Sequence, residues 1–524
     1  MNRLPRKLAM LSFAALLLGT QAIAFAQDKK PDEAAKGETK HDGDKDQQSI
    51  PPEKSSVTHH DLALDGKTIH YTATAGTLLI RDDEEKPYGS IFYIAYTQDG
   101  VDSKTRPVTF LYNGGPGSAT LWLHMGSVGP VRVATSSPAA TGSAPYQIVP
   151  NQYSLLDKTD LVFIDAPLTG YSRAVGKATA KDFAGVDQDL KAFNKFIARY
   201  VTVNERWNSP KVLFGESYGT TRSAGLSAVL QENGIALNGI VLLSSILNYG
   251  ELAPGTDTQY VVNLPSYAAI AWYHSKLQNK PADLKVFLDE VRGFARGDYS
   301  AALAEGDQIS SARLDAAAAK VSQYTGLSVQ FVKEAKLRVS PTRFRKELLR
   351  DEGDILGRYD ARFEGTDVDS AGENPGYDPS DTGISGAFVA AEHDYLSREL
   401  KYDTTDEYRP TVYGNIGDWD WKHRGAGAGR AFGGQQAMPY VAGDLADTIR
   451  KNPKLKVLSA NGYFDLATPF FATEYDLSHM MLTPDLAKNV EFTYYPSGHM
   501  VYLNVDALKD FKRDLDTFYS NLTR

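Results

Sequence analysis

Ser217 lies between two glycines in the run Gly215, Glu216, Ser217, Tyr218, Gly219, which occurs once in the chain. The residues before it, KVLF, are apolar and β-prone, and those after it, TTRSAGLSAVL, carry a helical apolar period. A serine on such a strand-to-helix turn exposes its Oγ, and the flanking glycines keep Cβ atoms out of a crowded backbone. The following helix turns its free N–H groups and the positive end of its dipole toward an oxyanion formed there. Residue type and context together point to a nucleophile for acyl transfer.

A nucleophilic serine needs a base, and the base needs a carboxylate to orient it. On α/β-hydrolase scaffolds these follow in the order Ser, Asp, His. Asp465 stands in NGYFDLATP after the apolar run LKVLSA, and His499 stands in SGHMVYLN after VEFTYYP. Each belongs in a loop at the carboxyl end of a buried strand, and each loop carries a glycine that lets a polar side chain reach across the sheet top. The other histidines are placed less well. His59 and His60 are neighbours on a predicted strand and face opposite ways, which argues against a shared metal. His124, His274, His393 and His479 read as packing or surface residues. The loop DVDSAGENPGYD has Asp367, Asp369 and Gly372 in the spacing of a calcium loop, but Ala371 replaces a ligand and Asp378 stands where a bidentate Glu is needed. It reads as a solvated loop, and neither a metal nor a cofactor is expected.

The elements that must position these groups are legible as short apolar runs. PVTFLY, DLVFID, KVLFG, GIVLLSS, LKVLSA and VEFTYYP read as strands buried on both faces. Phe183, Val186, Leu190, Phe193, Ile197 and Tyr200 recur at helical spacing after a Thr179-x-x-Asp182 cap, and Leu508, Phe511, Leu515 and Phe518 repeat the pattern near the end. Buried strands alternating with amphipathic helices give a doubly wound, mostly parallel α/β sheet, the α/β-hydrolase fold. Mixed β-branched and aromatic runs between about 58 and 97 add antiparallel strands in front of it. We expect a first core segment over residues 56–250, a mainly helical cap insertion over 251–445 and a second core segment over 446–524.

The N-terminal residues set the compartment. Arg3, Arg6 and Lys7, an apolar run, and Ala24-Phe25-Ala26 form the pattern of an export leader over residues 1–26. Residues 27–55 are rich in Lys, Asp, Glu and Gln and read as a solvated tether. No later run is apolar enough to span a bilayer, so we expect an exported protein, periplasmic or extracellular, with no stable membrane anchor after cleavage. The chain has no cysteine, hence neither a disulfide nor a thiolate metal site. A net charge of −9 offers no basic footprint for nucleic acid, and peptides or small molecules are the expected partners.

Together NGGPGSA (113–119), GESYG (215–219), GYFDLATP (462–469) and SGHMVY (497–502) resemble the serine carboxypeptidases, peptidase family S10, and LPSYAAIAWYH and YDPSDTGISGAF are similar to cap segments of its bacterial branch. The resemblance implies a triad of Ser217, Asp465 and His499, and an oxyanion hole from the backbone N–H groups of Gly115 and Tyr218. It also implies recognition of a peptide's terminal carboxylate by Asn113 and Glu216. Leu111, Ser118 and Ser127 stand where the family has Trp, Cys and a second carboxylate-binding Glu. A hydroxyl at 127 is expected to donate to ionised Glu216 and lower the pH at which peptide binding weakens. The function implied is release of C-terminal residues from peptides through an acyl-enzyme. An esterase or acyltransferase on the same scaffold, or a non-catalytic binding module, are the alternatives.

Overall fold

The computed structural model describes residues 49–412, 419–426 and 434–522. The expected leader and residues 27–48 of the charged tract lie outside them. The apolar runs form β4 (Val108–Tyr112), β5 (Asp160–Ile164), β6 (Lys211–Ser217), β7 (Gly239–Ser245), β8 (Lys456–Gly462) and β9 (Val490–Tyr495), preceded by β1 (Ser55–Leu64), β2 (Lys67–Arg81) and β3 (Pro87–Gln98). They join one ten-stranded sheet in the order β1-β2-β3-β5-β4-β6-β7-β8-β9, with Arg173–Ala174 pairing beside β3. Pairing is antiparallel from β1 through β3 to β5 and parallel from β5 to β9.

Strand alternation divides the core into two layers. Val212 and Phe214 of β6 face one layer and Leu213 the other; on β7, Val241 and Leu243 oppose Ile240 and Leu242. The helices α2 (Val186–Val203) and α3 (Tyr218–Glu232), with the helix Ala442–Lys451, cover the second layer. The short α1 (Leu121–Gly126) and the C-terminal helix Val505–Asn521 cover the first.

Three details differ from the sequence reading. β9 is an edge strand with Glu491 and Phe492 exposed, not one buried on both faces. Apolar character within the run does not show that no neighbour follows it among the described residues. The Thr179–Asp182 capping box exists but closes only the 3₁₀ turn Ala180–Asp182. Extended backbone at Gly185, whose neighbour Val186 donates to Asp420 O at 3.0 Å, delays α2 to Val186. Phe183 is thereby freed from the helix to stack on Tyr88, ring centroids 5.2 Å apart. Finally, the charged tract is docked at its end. Lys54 O accepts from Thr77 N at 2.8 Å, and Glu53 Oε1 accepts from Leu79 N at 2.8 Å and pairs with Arg199 at 2.6 Å.

Between β7 and β8 the chain builds helices including Thr258–Tyr273, Leu284–Phe294 and Ser311–Thr325, which share a third apolar core. Phe464, Leu466 and Phe470, from the segment after β8, complete that core and fasten it to the sheet. The helix Ser385–Asp394 packs instead onto the first sheet layer through Phe388 and Ala391. In the loop that resembles a calcium site, the cation is Lys346, whose Nζ meets Asp367 Oδ2 and Asp369 O. Among the described residues no helix is long and apolar enough to cross a membrane.

Candidate active site

Ser217 ends β6 and precedes the first residue of α3, with φ +61° and ψ −130°. That region is costly for a residue with a Cβ and persists only where the surroundings enforce it. Here they do: a Cβ on Gly215 would fall 2.0 Å from Gly219 O, so the strand and helix approach too closely for any larger side chain. The turn exposes Ser217 at the carboxyl end of the sheet, where the loops after β8 and β9 also arrive.

Those loops bring Asp465 and His499 together across 34 residues of sequence. His499 Nδ1 lies 2.7 Å from Asp465 Oδ2, and the two side chains are 3% and 1% exposed. Asp465 is fixed by three further hydrogen bonds from two residues: Oδ1 accepts from Ala467 N at 2.7 Å and Thr468 N at 3.0 Å, and Oδ2 accepts from Thr468 Oγ1 at 2.7 Å, while Thr468 Oγ1 also lies 3.0 Å from His499 Nδ1. Sequence reasoning passed over Thr468, although a Thr three residues after a loop Asp is a common turn partner. With Nδ1 engaged, Nε2 of His499 is the nitrogen left for other chemistry.

Ser217, His499, Asn113 and Glu216 line one cleft of 490 Å³, with Arg358, Tyr359 and Trp122 among its walls. A second hollow of 580 Å³ shares Ser217 and is lined by Gly115, Tyr218, Ile246, Tyr249, Trp419 and Trp421. Gly115 lines both hollows beside Ser217, and Tyr218 lines the second. Asn113, only 4% exposed, is locked on both ends. Its Nδ2 donates to Glu216 Oε1 at 3.0 Å, its Oδ1 accepts from Leu123 N at 2.9 Å, and its carbonyl accepts from Arg222 Nη1 at 2.8 Å. Arg222 is fully buried on α3 and held by Asp189 of α2 at 2.7 Å and 3.1 Å. Nothing in the local sequence marked Arg222, since its partner lies 33 residues away.

Burial pushes the Glu216 carboxyl up from 4.5 to about 7, against the pull of His499 and Asn113. Burial alone would pull His499 down, but the charge and hydrogen bond of Asp465, aided by Glu216, hold it above its usual 6.5. The two shifts are reciprocal: protonating Glu216 removes its contribution and makes His499 less basic. Ser127 does not take the part expected of it. It is fully buried and donates to Leu123 O at 2.5 Å, while Asn151 donates to its carbonyl at 2.8 Å. Closing the end of α1 occupies its hydroxyl proton, so it cannot lower Glu216.

A family model described as serine carboxypeptidase matches residues 67–354. No curated protein sequence matches the chain. Among solved structures, the chain is similar to a prohormone-processing carboxypeptidase, Kex1, from Saccharomyces cerevisiae, at 16% identity over 86% of this chain and 91% of that one, with a TM-score of 0.51. A proline iminopeptidase from Mycobacterium smegmatis is similar at 14% identity over 85% and 98% of the two chains, with a TM-score of 0.38.

Proposed function

Because the chain belongs to the serine carboxypeptidase family, we propose that it releases C-terminal residues from peptides through an acyl-enzyme on Ser217. His499 Nε2 takes the Ser217 proton as Oγ attacks the scissile carbonyl, then returns it to the leaving amine, and a water reverses the sequence to free the acid. Asp465 and Thr468 hold the imidazole in the required tautomer. The N–H groups of Gly115 and Tyr218 receive the oxyanion; one such donor is worth roughly 3 kcal/mol in the transition state. Asn113 and protonated Glu216 bind the terminal carboxylate. The observation that carries this reading is the buried Asn113–Glu216 pair opening into the cleft of Ser217 and His499.

A carboxyl group meets a substrate carboxylate favourably only while it keeps its proton. The base, conversely, must be neutral. For peptides with a free C-terminus kcat/KM should therefore be bell-shaped, His499 setting the acidic limb and Glu216 the alkaline one. Peptide esters and amides should lack the alkaline limb. Equal profiles for both substrate types would favour the esterase reading instead. We further read the chain as exported, on the leader pattern of residues 1–26, and residues 251–445 as a cap over the catalytic end of the sheet.

A further inference from the structure

Behind the cleft lie two buried oxygens, Glu216 Oε2 and the Tyr502 hydroxyl, that make no hydrogen bond among the described residues. Each is the other's close neighbour, and the hydroxyl also faces Asn113. Tyr502 is only 2% exposed, and it reaches this place because α1 has been cut away for it. A Cβ on Gly126 would fall 2.5 Å from Tyr502 Cε2 and 2.9 Å from Phe388 Cε1, so only glycine lets the ring pass. The next residue, Ser127, is turned back onto Leu123 O and leaves the space beside Glu216 to the tyrosine.

We propose that Tyr502 is a positioning residue for carboxylate recognition, its hydroxyl donating to Glu216 Oε2 so that the acid proton resides on Oε1, the oxygen beside Asn113. This inference rests on the carboxypeptidase reading above. Oε1 accepts from Asn113 Nδ2 at 3.0 Å and has its remaining lone pair for the proton. Asn113 lines the cleft, so a proton on Oε1 is offered to the substrate's carboxylate, whereas one on Oε2 would be spent on the tyrosine. The charged and titratable groups around Glu216 and its cleft are His499 and Asp465 from the loops after β9 and β8, and Arg345, Arg358, Tyr359, Asp378 and Asp381, which line the cleft from the insertion. None of these touches Oε2 in a hydrogen bond, which leaves Tyr502 as the donor within reach.

The test is the alkaline limb of kcat/KM for a peptide with a free C-terminus, compared with its C-terminal ester, in wild type and Tyr502→Phe. A hydroxyl bonded to Oε2 holds the ionised carboxylate more strongly than the neutral acid, so its removal should move the limb up by roughly one pH unit. The ester profile should not move. In a Glu216→Gln background, Tyr502→Phe should shift nothing further. A limb that stays in place in a folded Tyr502→Phe protein, or a shift that survives Glu216→Gln, would overturn the proposal. Infrared difference spectra between wild type and Glu216→Gln read the acid directly. A carbonyl stretch lowered by hydrogen bonding, and raised in Tyr502→Phe, supports the role; an unbonded acid band in wild type refutes it. That measurement needs no turnover, so it decides the matter even if wild type has no carboxylate-dependent limb, a result that would instead bring down the carboxypeptidase reading.

Discussion

Replacing Glu216 with Gln should stabilise the protein in alkaline solution while damaging carboxylate recognition. Below about pH 4.5 the carboxyl is protonated in the folded and unfolded chains alike, and its ionisation costs the fold nothing. As pH rises toward 7 the unfolded chain releases the proton and the folded one does not, so stability falls; above about 7 the full cost is present. A shift from 4.5 to about 7 is 2.5 units, worth about 3 kcal/mol. Glutamine keeps the volume and, through its amide oxygen, the bond from Asn113, but cannot ionise. Urea unfolding at pH 4 and pH 8 separates these cases. Glu216→Gln should match wild type at pH 4 within about 0.5 kcal/mol and exceed it by up to about 3 kcal/mol at pH 8. Equal stability at pH 8, or a variant less stable than wild type there, would refute the claim that burial holds this carboxyl in its neutral form.

Ser217→Ala and His499→Ala should each abolish nearly all turnover, and the double variant should be little worse, because such residues act as a unit; losses that multiply would refute the assignment. Arg222→Leu strands the buried carboxylate of Asp189 and removes the donor to Asn113 O, so it should cost about 3–5 kcal/mol in urea unfolding, with part recovered in Arg222→Leu/Asp189→Leu. Deleting residues 27–48 should leave the Tm unchanged, since that composition carries few apolar anchors, whereas deleting 27–55 should lower it by removing Glu53 and Lys54 from β2. Equal Tm values for the two deletions would mean that this docking contributes nothing.

What could be read from the sequence was whatever a short window determines. The runs PVTFLY, DLVFID, KVLFG, GIVLLSS and LKVLSA became buried strands because continuous apolar character leaves a strand few alternatives. Asp465 and His499 were found because the carboxyl ends of neighbouring strands converge. What could not be read depends on residues distant in sequence. VEFTYYP looks like a central strand, and only the absence of a further neighbour among the described residues makes Val490–Tyr495 an edge. Ser127 looked available to Glu216 until the C-terminus of α1 claimed its hydroxyl. Tyr502 sits in a motif already marked by His499, yet its reach toward Glu216 depends on Gly126, and no local pattern ties those positions together.

The same distinction explains where the fold carries its costs. Ser217 is held at φ +61° and Glu216, the residue before it, is buried with a carboxyl that resists ionising. Neither helps the protein fold. Both sit at the end of β6, which β4 pairs up to Gly215, the residue just before them, and which β7 pairs through Glu216 and Ser217. A strand fixed by two neighbours can sustain local strain that an edge or a free loop would relax. Arg222 and Asp189 extend that support one layer down by gripping the carbonyl of Asn113. The strained serine and the reluctant acid are thus adjacent in sequence because one over-determined strand end can hold them both. Loosening that end, as in Arg222→Leu, should raise KM for free-carboxylate peptides more than it raises KM for their esters if Asn113 binds the terminal carboxylate as proposed. A loss of the same size for both substrates would show that Arg222 supports the whole turn and not the carboxylate site in particular.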